Sequence, residues 1–467
     1  MMEPQSVEKV SLKEKVSYGF GDLASVLYWQ TFMAYLVFFY TDVFRISAIA
    51  AGTMIFITRT WDWINDPIMG IISDRTQTKW GKFRPYLLWL ALPMGIVGFL
   101  TFTTPDFGET GKLVYAYITY TLLMMMYTAI NIPYSSLLGV ITPDPIERTS
   151  LSSVKYIFAY AAGMIISVSL LPMARAFGGG NNQRGWSISF LIIGIAAAAF
   201  YLITFFNTKE RVSPPKKQKT PIREDLKDLT RNGPWMVLVL VTITFILFVS
   251  TRITVTAHYF KYYVGEQTIN LFGAERTYGY VEFVSAFNGI GQIFSLLGVL
   301  VLQPIVKFIG GKKKTFIIMY MVAILSTASF YLLNPEHISL MFIIQVIGSA
   351  TGGPLSALIW AMYADTADYS EWKQGRRATG LVFSASTASQ KIGWAFGAAT
   401  AGWMLGAFGF EVDMLQNENV LYGLRLLMSI IPAGVGILSL LILTFYKLDE
   451  KSMEKISSEL IARRKEE

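Results

Sequence analysis

About twelve apolar stretches, each long enough to cross a membrane as a helix, follow one another from residue 18 to residue 447. A helix needs about 20 apolar residues to cross the hydrocarbon core of a bilayer. Hydrophobic residues make up 53% of the chain and charged residues only 15%, which is too apolar and too poor in charge for an ordinary soluble protein of 467 residues. The sequence therefore predicts an all-α integral membrane protein.

Short polar or glycine- and proline-containing breaks separate the predicted spans, which are 18–42, 47–73, 85–104, 112–141, 151–172, 186–206, 234–263, 278–303, 315–333, 338–364, 379–407 and 422–447. One long break is rich in lysine, arginine and proline and divides the spans into two halves. We interpret residues 1–206 as a first six-helix bundle, 207–233 as a basic cytoplasmic linker, 234–447 as a second six-helix bundle and 448–467 as a cytoplasmic tail.

The two halves also resemble each other in their loops. Gly81-Lys82-Phe83-Arg84 follows the second span of the first half, and Gly311-Lys312-Lys313-Lys314 follows the second span of the second half. Parallel halves of six helices around a central cavity are typical of major-facilitator transporters. We therefore expect that fold.

The basic residues lie in alternate loops, although the net charge of +8 could by itself suggest a nucleic-acid partner. Lysines and arginines are concentrated at 75–84, 209–231, 307–314 and 373–377, whereas the loops between hold few. By the positive-inside rule this pattern places both termini in the cytoplasm of a bacterial inner membrane protein. We therefore expect the protein to contact membrane lipid and not to bind nucleic acid.

The second span carries three charged residues within eight positions, namely Arg59, Asp62 and Asp66, with Asn65 beside them. Asp62 and Asp66 are four residues apart, so their side chains share one face of a helix. A charge inside the membrane is costly and marks a functional site by default. Two carboxylates and an amide oxygen suit a small cation or a proton. The alternative is that Arg59 neutralises one aspartate and only holds helices together.

Other polar residues interrupt the apolar spans singly or in pairs. Tyr127 and Asn131 are four residues apart and share a face of the fourth span. Lys391 and Arg252 are surrounded by long apolar runs, which favours contact with a wet cavity, although Arg252 is close enough to the outer end of its span to snorkel. Asp22 is a further polar residue, in the first span.

Several motifs resemble the glycoside–pentoside–hexuronide:cation symporters, the family of the melibiose carrier. The segments that carry the resemblance are Ser17–Gly21, Tyr40–Asp42, Arg59–Gly70, Lys79–Pro85, Tyr127–Thr128, Ile132–Pro133 and Ala364–Tyr369. The resemblance extends from the first span to the last. It implies a sugar carried together with Na⁺, H⁺ or Li⁺ by alternating access of two six-helix bundles, with no covalently bound cofactor.

The family's cation site is built from residues whose counterparts here are Asp62, Asn65, Asp66 and Thr128, and all four are present. The family's lysine between the cation and the sugar corresponds to Lys391, with Thr387 one turn before it. Its sugar-binding aspartates correspond to Val26 and Asn131, and its stacking tryptophan to Ser135. The resemblance thus implies a conserved cation site and a rebuilt sugar site.

The candidate substrate residues are Asp22, Tyr127, Asn131, Arg252 and Lys391, and the resemblance adds Thr387 and Lys155, which lies beside Tyr156 at the position of a family arginine. Loss of two family carboxylates while Lys391 and Arg252 remain would suit an anionic sugar such as a uronide. A neutral pentoside, glucoside or oligosaccharide is the alternative, and Asp22 could then supply a carboxylate from one turn earlier.

Charged residues of the cytoplasmic loops, together with Arg59 of the second span, are candidates for latches that stabilise one access state, and those of the loops are Lys82, Arg84, Arg148, Asp365, Asp368, Arg376 and Arg377. Alternatively, these charges only set the topology.

Three other functions compete with symport. A uniporter or a sensor that binds sugar without transporting it could use the same pocket. An enzyme is disfavoured, because the chain has no cysteine, two histidines and none of the usual hydrolase motifs. The expected partners are a sugar and a coupling cation, and the expected state is a monomer.

Overall fold

In a computed structural model, the described residues are 9–142, 144–211, 231–271, 274–374, 379–412, 414 and 416–466, and most of them are helical. Contacts divide the chain into two compact units, residues 1–217 and 218–467. The boundary falls within the segment 207–233 that separates the two groups of predicted spans. We describe each unit by itself.

The first unit contains six long helical spans. Its helices are α1 (Leu12–Ala34), α2 (Leu36–Phe38) with a π-type turn (Phe39–Val43), α3 (Ala48–Arg75), α4 (Arg84–Thr101), α5 (Glu109–Ile141), α6 (Pro145–Gly178) and α7 (Asn182–Asn207). The first span bends by 64° between α1 and the segment Leu36–Val43. Side-chain caps begin several helices: Ser11, Ser47 and Asn181 each accept a hydrogen bond from a backbone amide of the first turn.

The second unit also contains six spans, some of them broken. Its elements are α8 (Gly233–His258) with a π-type turn (Tyr259–Val264), the hairpin β1 (Gln267–Leu271) and β2 (Ala274–Tyr278), α9 (Tyr280–Leu300), α10 (Leu302–Ile309), α11 (Lys312–Ser329) with a 3₁₀ turn (Phe330–Leu332), α12 (Ile338–Gly352), α13 (Leu355–Gln374), α14 (Thr379–Ala407), α15 (Glu418–Met428), α16 (Ile430–Leu443) and α17 (Glu450–Glu466).

Within the described residues, nine helical segments are long and apolar enough to cross a membrane, and the bent first span makes ten. Two further long helices, α3 and α14, are not among these ten, and α3 carries Arg59, Asp62 and Asp66 while α14 carries Lys391. With these two helices the described chain contains the predicted twelve spans. Both of these helices carry candidate transport residues.

Within each unit the helices contact one another, and the pattern of contacts is the same in both units. In the first unit α1 packs on α6 and α7, α3 on α5, and α4 on both α5 and α7. In the second, α8 packs on α14 and α16, α9 on α12, and α11 on both α12 and α16. Each unit is therefore one copy of the same six-helix arrangement.

Small residues allow close helix contact in the first unit. A Cβ atom at Gly95 of α4 would lie 3.1 Å from the backbone oxygen of Gly194 in α7, and one at Gly194 would lie 3.0 Å from that of Gly95. Without a hydrophobic force between helices in lipid, such close backbone approach is what holds them together.

The last twenty residues, interpreted from sequence as a tail, contain helix α17. Ile456 and Leu460 of α17 are buried in the apolar core of the second unit, and the indole nitrogen of Trp372 in α13 donates to Glu459 at 2.6 Å. The spacing of four between Ile456 and Leu460 is the sequence signal for this helix.

Candidate functional site

The hydroxyl of Thr128 in α5 lies between the two carboxylates of α3. It donates to Asp62 Oδ1 at 2.5 Å and lies 3.2 Å from Asp66 Oδ1. Asp62 is 5% exposed and Thr128 is 2% exposed. Asn65 lies on the same helix between the two carboxylates and is partly buried. Three of the four candidate cation ligands thus converge across one helix contact, and their hard oxygens suit a small cation.

Arg59 is buried one turn before Asp62 and reaches towards two other helices. Its Nη2 donates to the Phe32 carbonyl of α1 at 3.2 Å, and its Nε donates to the Tyr120 hydroxyl of α5 at 3.4 Å. Arg59 therefore ties α3 to both α1 and α5 at the level next to the carboxylates.

Tyr127 and Asn131 line the same face of α5, as their spacing predicts. Asn131 Nδ2 donates to the Tyr127 hydroxyl at 3.2 Å, and the Tyr127 ring stacks on Trp29 of α1 with 5.7 Å between ring centroids. The hydroxyl of Tyr127 also lies within electrostatic range of Asp22, Asp62 and Asp66. Tyr127 is therefore a neighbour of the carboxylate pair and of the first helix.

Asp22 of α1 and Lys155 of α6 form an ion pair inside the first unit. Lys155 Nζ lies 3.6 Å from Asp22 Oδ1 and 5.6 Å from the centre of the Tyr134 ring. Both side chains are mostly shielded, at 11% exposed for Asp22 and 22% for Lys155. The sequence predicted each residue as a substrate contact, but it gave no sign that they pair.

The second unit contains the other three candidate substrate residues. Arg252 of α8 donates from Nη2 to Gln345 Oε1 at 3.0 Å, and its guanidinium lies 4.8 Å from the centre of the Phe330 ring. Thr387 and Lys391 lie one turn apart on α14, where Thr387 is exposed and Lys391 is partly buried.

The loop before α4 wraps around a carboxylate. Glu210, which follows α7, accepts hydrogen bonds from the backbone amides of Lys82, Phe83 and Arg84 at 2.8, 2.8 and 2.9 Å. The Arg84 guanidinium donates in return to the Phe205 carbonyl at 2.6 Å. Gly81 has a φ of +110°, a backbone conformation that brings the loop against the Glu210 carboxylate and disfavours other residues.

Glu210→Gln is expected to lower the free energy of unfolding by about 1–2 kcal/mol, because the amide keeps an acceptor but loses the charge at a helix N-terminus. Thermal unfolding of the purified protein measures the change. Glu266→Gln, at an exposed position of the second unit, is the matched control. Equal unfolding temperatures for both variants and the wild type would show that this carboxylate is not stabilising.

The remaining latch candidates have separate local roles. Arg148 donates to the carbonyls of Thr142 and Gly139 at 2.8 and 3.1 Å, so it caps the end of α5. Asp365 of α13 pairs with Lys312 at the start of α11, with a shortest distance of 2.5 Å. Asp368 lies one turn later on α13. Arg376 and Arg377 lie outside the described residues.

Sequence reasoning missed two residues of the first unit. Trp29 was not singled out, because aromatic residues are abundant and most of them pack, yet its spacing of seven from Asp22 places both on one face of α1. Glu210 was hidden within a segment interpreted as a linker, and no local pattern marks a carboxylate that binds amides more than a hundred residues away.

Comparison with known proteins gives a consistent result. The model of the family described as MFS/sugar transport protein matches residues 17–450. The inner membrane symporter YicJ of Escherichia coli is 36% identical, with 97% of this chain and 95% of that protein covered. The isoprimeverose transporter of Lactiplantibacillus pentosus is also 36% identical, with 96% and 92% covered.

Solved structures show the same fold. A bacterial homologue of the human lysosomal transporter Spinster superposes with a TM-score of 0.65, covering 95% of this chain and 97% of that one at 14% sequence identity. At that identity the likeness concerns the fold alone. It confirms the predicted all-α, two-bundle architecture.

Proposed function

The chain belongs to the MFS/sugar transport protein family, and from this premise we propose that it is a symporter that moves a sugar together with a monovalent cation. It is a multi-pass membrane transporter and not an enzyme. The observation that carries the proposal is the convergence of Asp62, Asp66 and Thr128 at one helix contact. Two carboxylates this close together within a membrane span repel each other, and a bound cation offsets that repulsion.

Na⁺ is the cation that this set of oxygens favours. A proton would need only one carboxylate, whereas a metal ion is bound by several hard oxygens at once. The Thr128 hydroxyl supplies a third oxygen beside the two carboxylates. Asn65 supplies a fourth if its side chain turns towards them. H⁺ and Li⁺ are the alternatives that a cation titration distinguishes.

A neutral sugar fits the first unit better than a uronide does. The charge of Lys155 is already offset by Asp22, so this pair presents a donor and an acceptor to hydroxyl groups and no excess positive charge. Trp29 and Tyr127 provide aromatic surface next to it. A neutral glycoside or pentoside is therefore the proposed substrate class.

Coupling would operate along α5. Thr128 contacts the cation carboxylates, and the adjacent Tyr127 holds Asn131 by a hydrogen bond and lies within electrostatic range of Asp22. A cation that neutralises Asp62 and Asp66 would draw α3 and α5 together and fix this face of α5 for the sugar. By linkage, the sugar then tightens cation binding by the same factor.

The proposed setting is the bacterial inner membrane, with both termini in the cytoplasm and one chain as the transporting unit. The alternation of basic loops supports this orientation, and the name of YicJ supports the location. Thiol labelling of single cysteines placed at residues 9 and 108 tests it, because the chain has no cysteine of its own. Labelling of residue 9 from outside intact cells would contradict the orientation.

Thr128→Val is expected to weaken the apparent affinity for Na⁺ by about tenfold, or about 1.4 kcal/mol, since it removes one of the three oxygens proposed to bind the cation. Thr128→Ser keeps the hydroxyl and should stay close to the wild type. Na⁺ titration of sugar binding measures both. If Thr128→Val and Thr128→Ser have the same apparent affinity for Na⁺, the Thr128 hydroxyl is not a ligand of the cation.

Calorimetric titration of the purified protein with sugars tests the proposal as a whole. Neutral glycosides, pentosides and uronides are each titrated in Na⁺, in Li⁺ and in choline, at two pH values. We expect a neutral sugar to bind several-fold more tightly in Na⁺ than in choline. Equal affinity in every medium would favour a uniporter or a non-transporting sensor.

A further inference from the structure

Two arginines of the second unit lie among aromatic rings. Arg252 of α8 lies over Phe330 at 4.8 Å and over Phe287 at 5.6 Å. Arg425 of α15 lies over Tyr331 at 4.9 Å and donates from Nη2 to the Tyr331 carbonyl at 2.6 Å. Because Phe330 and Tyr331 are consecutive, the same short turn contacts both guanidinium groups.

Tyr259 lies next to both arginines. Its ring is 6.4 Å from the ring of Phe330, which contacts Arg252, and 5.0 Å from that of Tyr263, which contacts Arg425. Both guanidinium groups also act electrostatically on the Tyr259 hydroxyl. Tyr259 is fully buried, and Arg252 and Arg425 are partly buried.

Arg252, Arg425 and Tyr259 each have one hydrogen-bond donor without an acceptor in the described part of the chain. Among the residues that the structure describes, none accepts from Arg252 Nε, from Arg425 Nε or from the Tyr259 hydroxyl, and all three atoms are buried. In the same part of the chain no carboxylate forms an ion pair with either arginine. Glu336 is within electrostatic range of Tyr263, but its side chain is exposed.

A buried donor without an acceptor is costly, and a buried unpaired charge costs more. Two positive charges and three unmet donors together favour a negatively charged acceptor. The aromatic surroundings select against sulfate and phosphate, because a strongly hydrated divalent anion loses too much solvation there. A weakly hydrated monovalent anion loses less solvation and still accepts N–H and O–H hydrogen bonds.

We propose that Arg252, Arg425 and Tyr259 form a binding site for a monovalent inorganic anion of the chloride class. The site is in the second unit, whereas Asp62, Asp66 and Thr128 are in the first. The anion balances the two arginines and stabilises the outer part of α8 against α15. This proposal does not depend on the proposed symport, since it concerns binding to the protein in the absence of sugar.

Thermal unfolding of the full-length purified protein in sodium chloride and in sodium gluconate, at equal Na⁺ and pH, tests the proposal. Anything that binds only the folded state raises the unfolding temperature in a saturable way. We expect such a rise with chloride and bromide for the wild type and for Arg276→Gln, which removes an exposed arginine of β2 as the matched control. Arg252→Gln combined with Arg425→Gln should abolish it.

Tyr259→Phe removes one donor and keeps the ring, so it tests the site even if the double variant fails to fold. We expect about a tenfold weaker chloride affinity, measured by line broadening of chloride-35 resonance. Equal unfolding temperatures of the wild type in chloride and gluconate would overturn the proposal. So would a chloride effect of unchanged size in Tyr259→Phe and the double variant. Protection by glucuronate but not by chloride would overturn it too and assign the arginines to a substrate carboxylate.

Discussion

Asp62→Asn is expected to abolish cation-driven accumulation of sugar, so that the ratio of internal to external sugar falls to about 1 while downhill exchange continues. The reason is electrostatic. Asp62 is the carboxylate closest to the Thr128 hydroxyl, and its charge is a large part of what attracts a cation into this buried place. Without it, one carboxylate remains and a monovalent cation loses an interaction worth several kcal/mol.

The matched control is Asp106→Asn, which removes an exposed aspartate from the loop between α4 and α5. It should accumulate sugar like the wild type. Uptake of radiolabelled sugar into membrane vesicles with an imposed Na⁺ gradient measures both variants, and counterflow exchange verifies that Asp62→Asn is folded. Gradient-driven accumulation by Asp62→Asn at the wild-type level would remove Asp62 from the coupling site.

Asp22→Asn and Lys155→Gln are each expected to lower the uptake of a neutral sugar by about 100-fold or more. Each single change leaves the other charge without its partner and removes a charged group proposed to hydrogen-bond the sugar, an interaction worth about 1.5–3 kcal/mol. Because the two residues act as one unit, the double variant should lower uptake by less than the two single changes combined.

Lys13→Gln, at an exposed position of α1, controls for a simple change of charge. Initial uptake rates for one neutral glycoside and one uronide, compared at equal protein levels, distinguish the two substrate classes. If Lys155→Gln spared the neutral sugar and abolished uptake of the uronide alone, Lys155 would bind a substrate carboxylate and the neutral-sugar proposal would be wrong.

The sequence predicts what depends on local spacing. Twelve spans follow from apolar length, and two bundles follow from the basic break and the repeated loops. The spacing of four between Tyr127 and Asn131 predicts a shared face, and the side chains do form a hydrogen bond. The family resemblance, and not spacing, identified Thr128, because nothing local says which residue of α5 lies opposite Asp62.

Contacts between distant segments could not be read from the sequence. Hydrophobic periodicity is weak in helices that are apolar on most sides, so the rotation of α1 towards α6, and hence the pairing of Asp22 with Lys155, has no sequence signal. The same holds for Arg425, a residue in the last turn of α15 whose hydrogen bond to Tyr331 has no sequence signal. The bend after α1 has no proline or glycine at the break, so no helix-breaking residue predicts it.

Uptake of a panel of sugars into right-side-out vesicles containing the wild-type protein, with and without an inward Na⁺ gradient, tests cation-coupled transport most directly. We predict that a neutral glycoside or pentoside accumulates above its external concentration when the gradient is present and only equilibrates when it is absent. Equilibration of every sugar to equal concentrations on both sides, whatever Na⁺ or H⁺ gradient is imposed, would contradict symport and leave a facilitator on this fold.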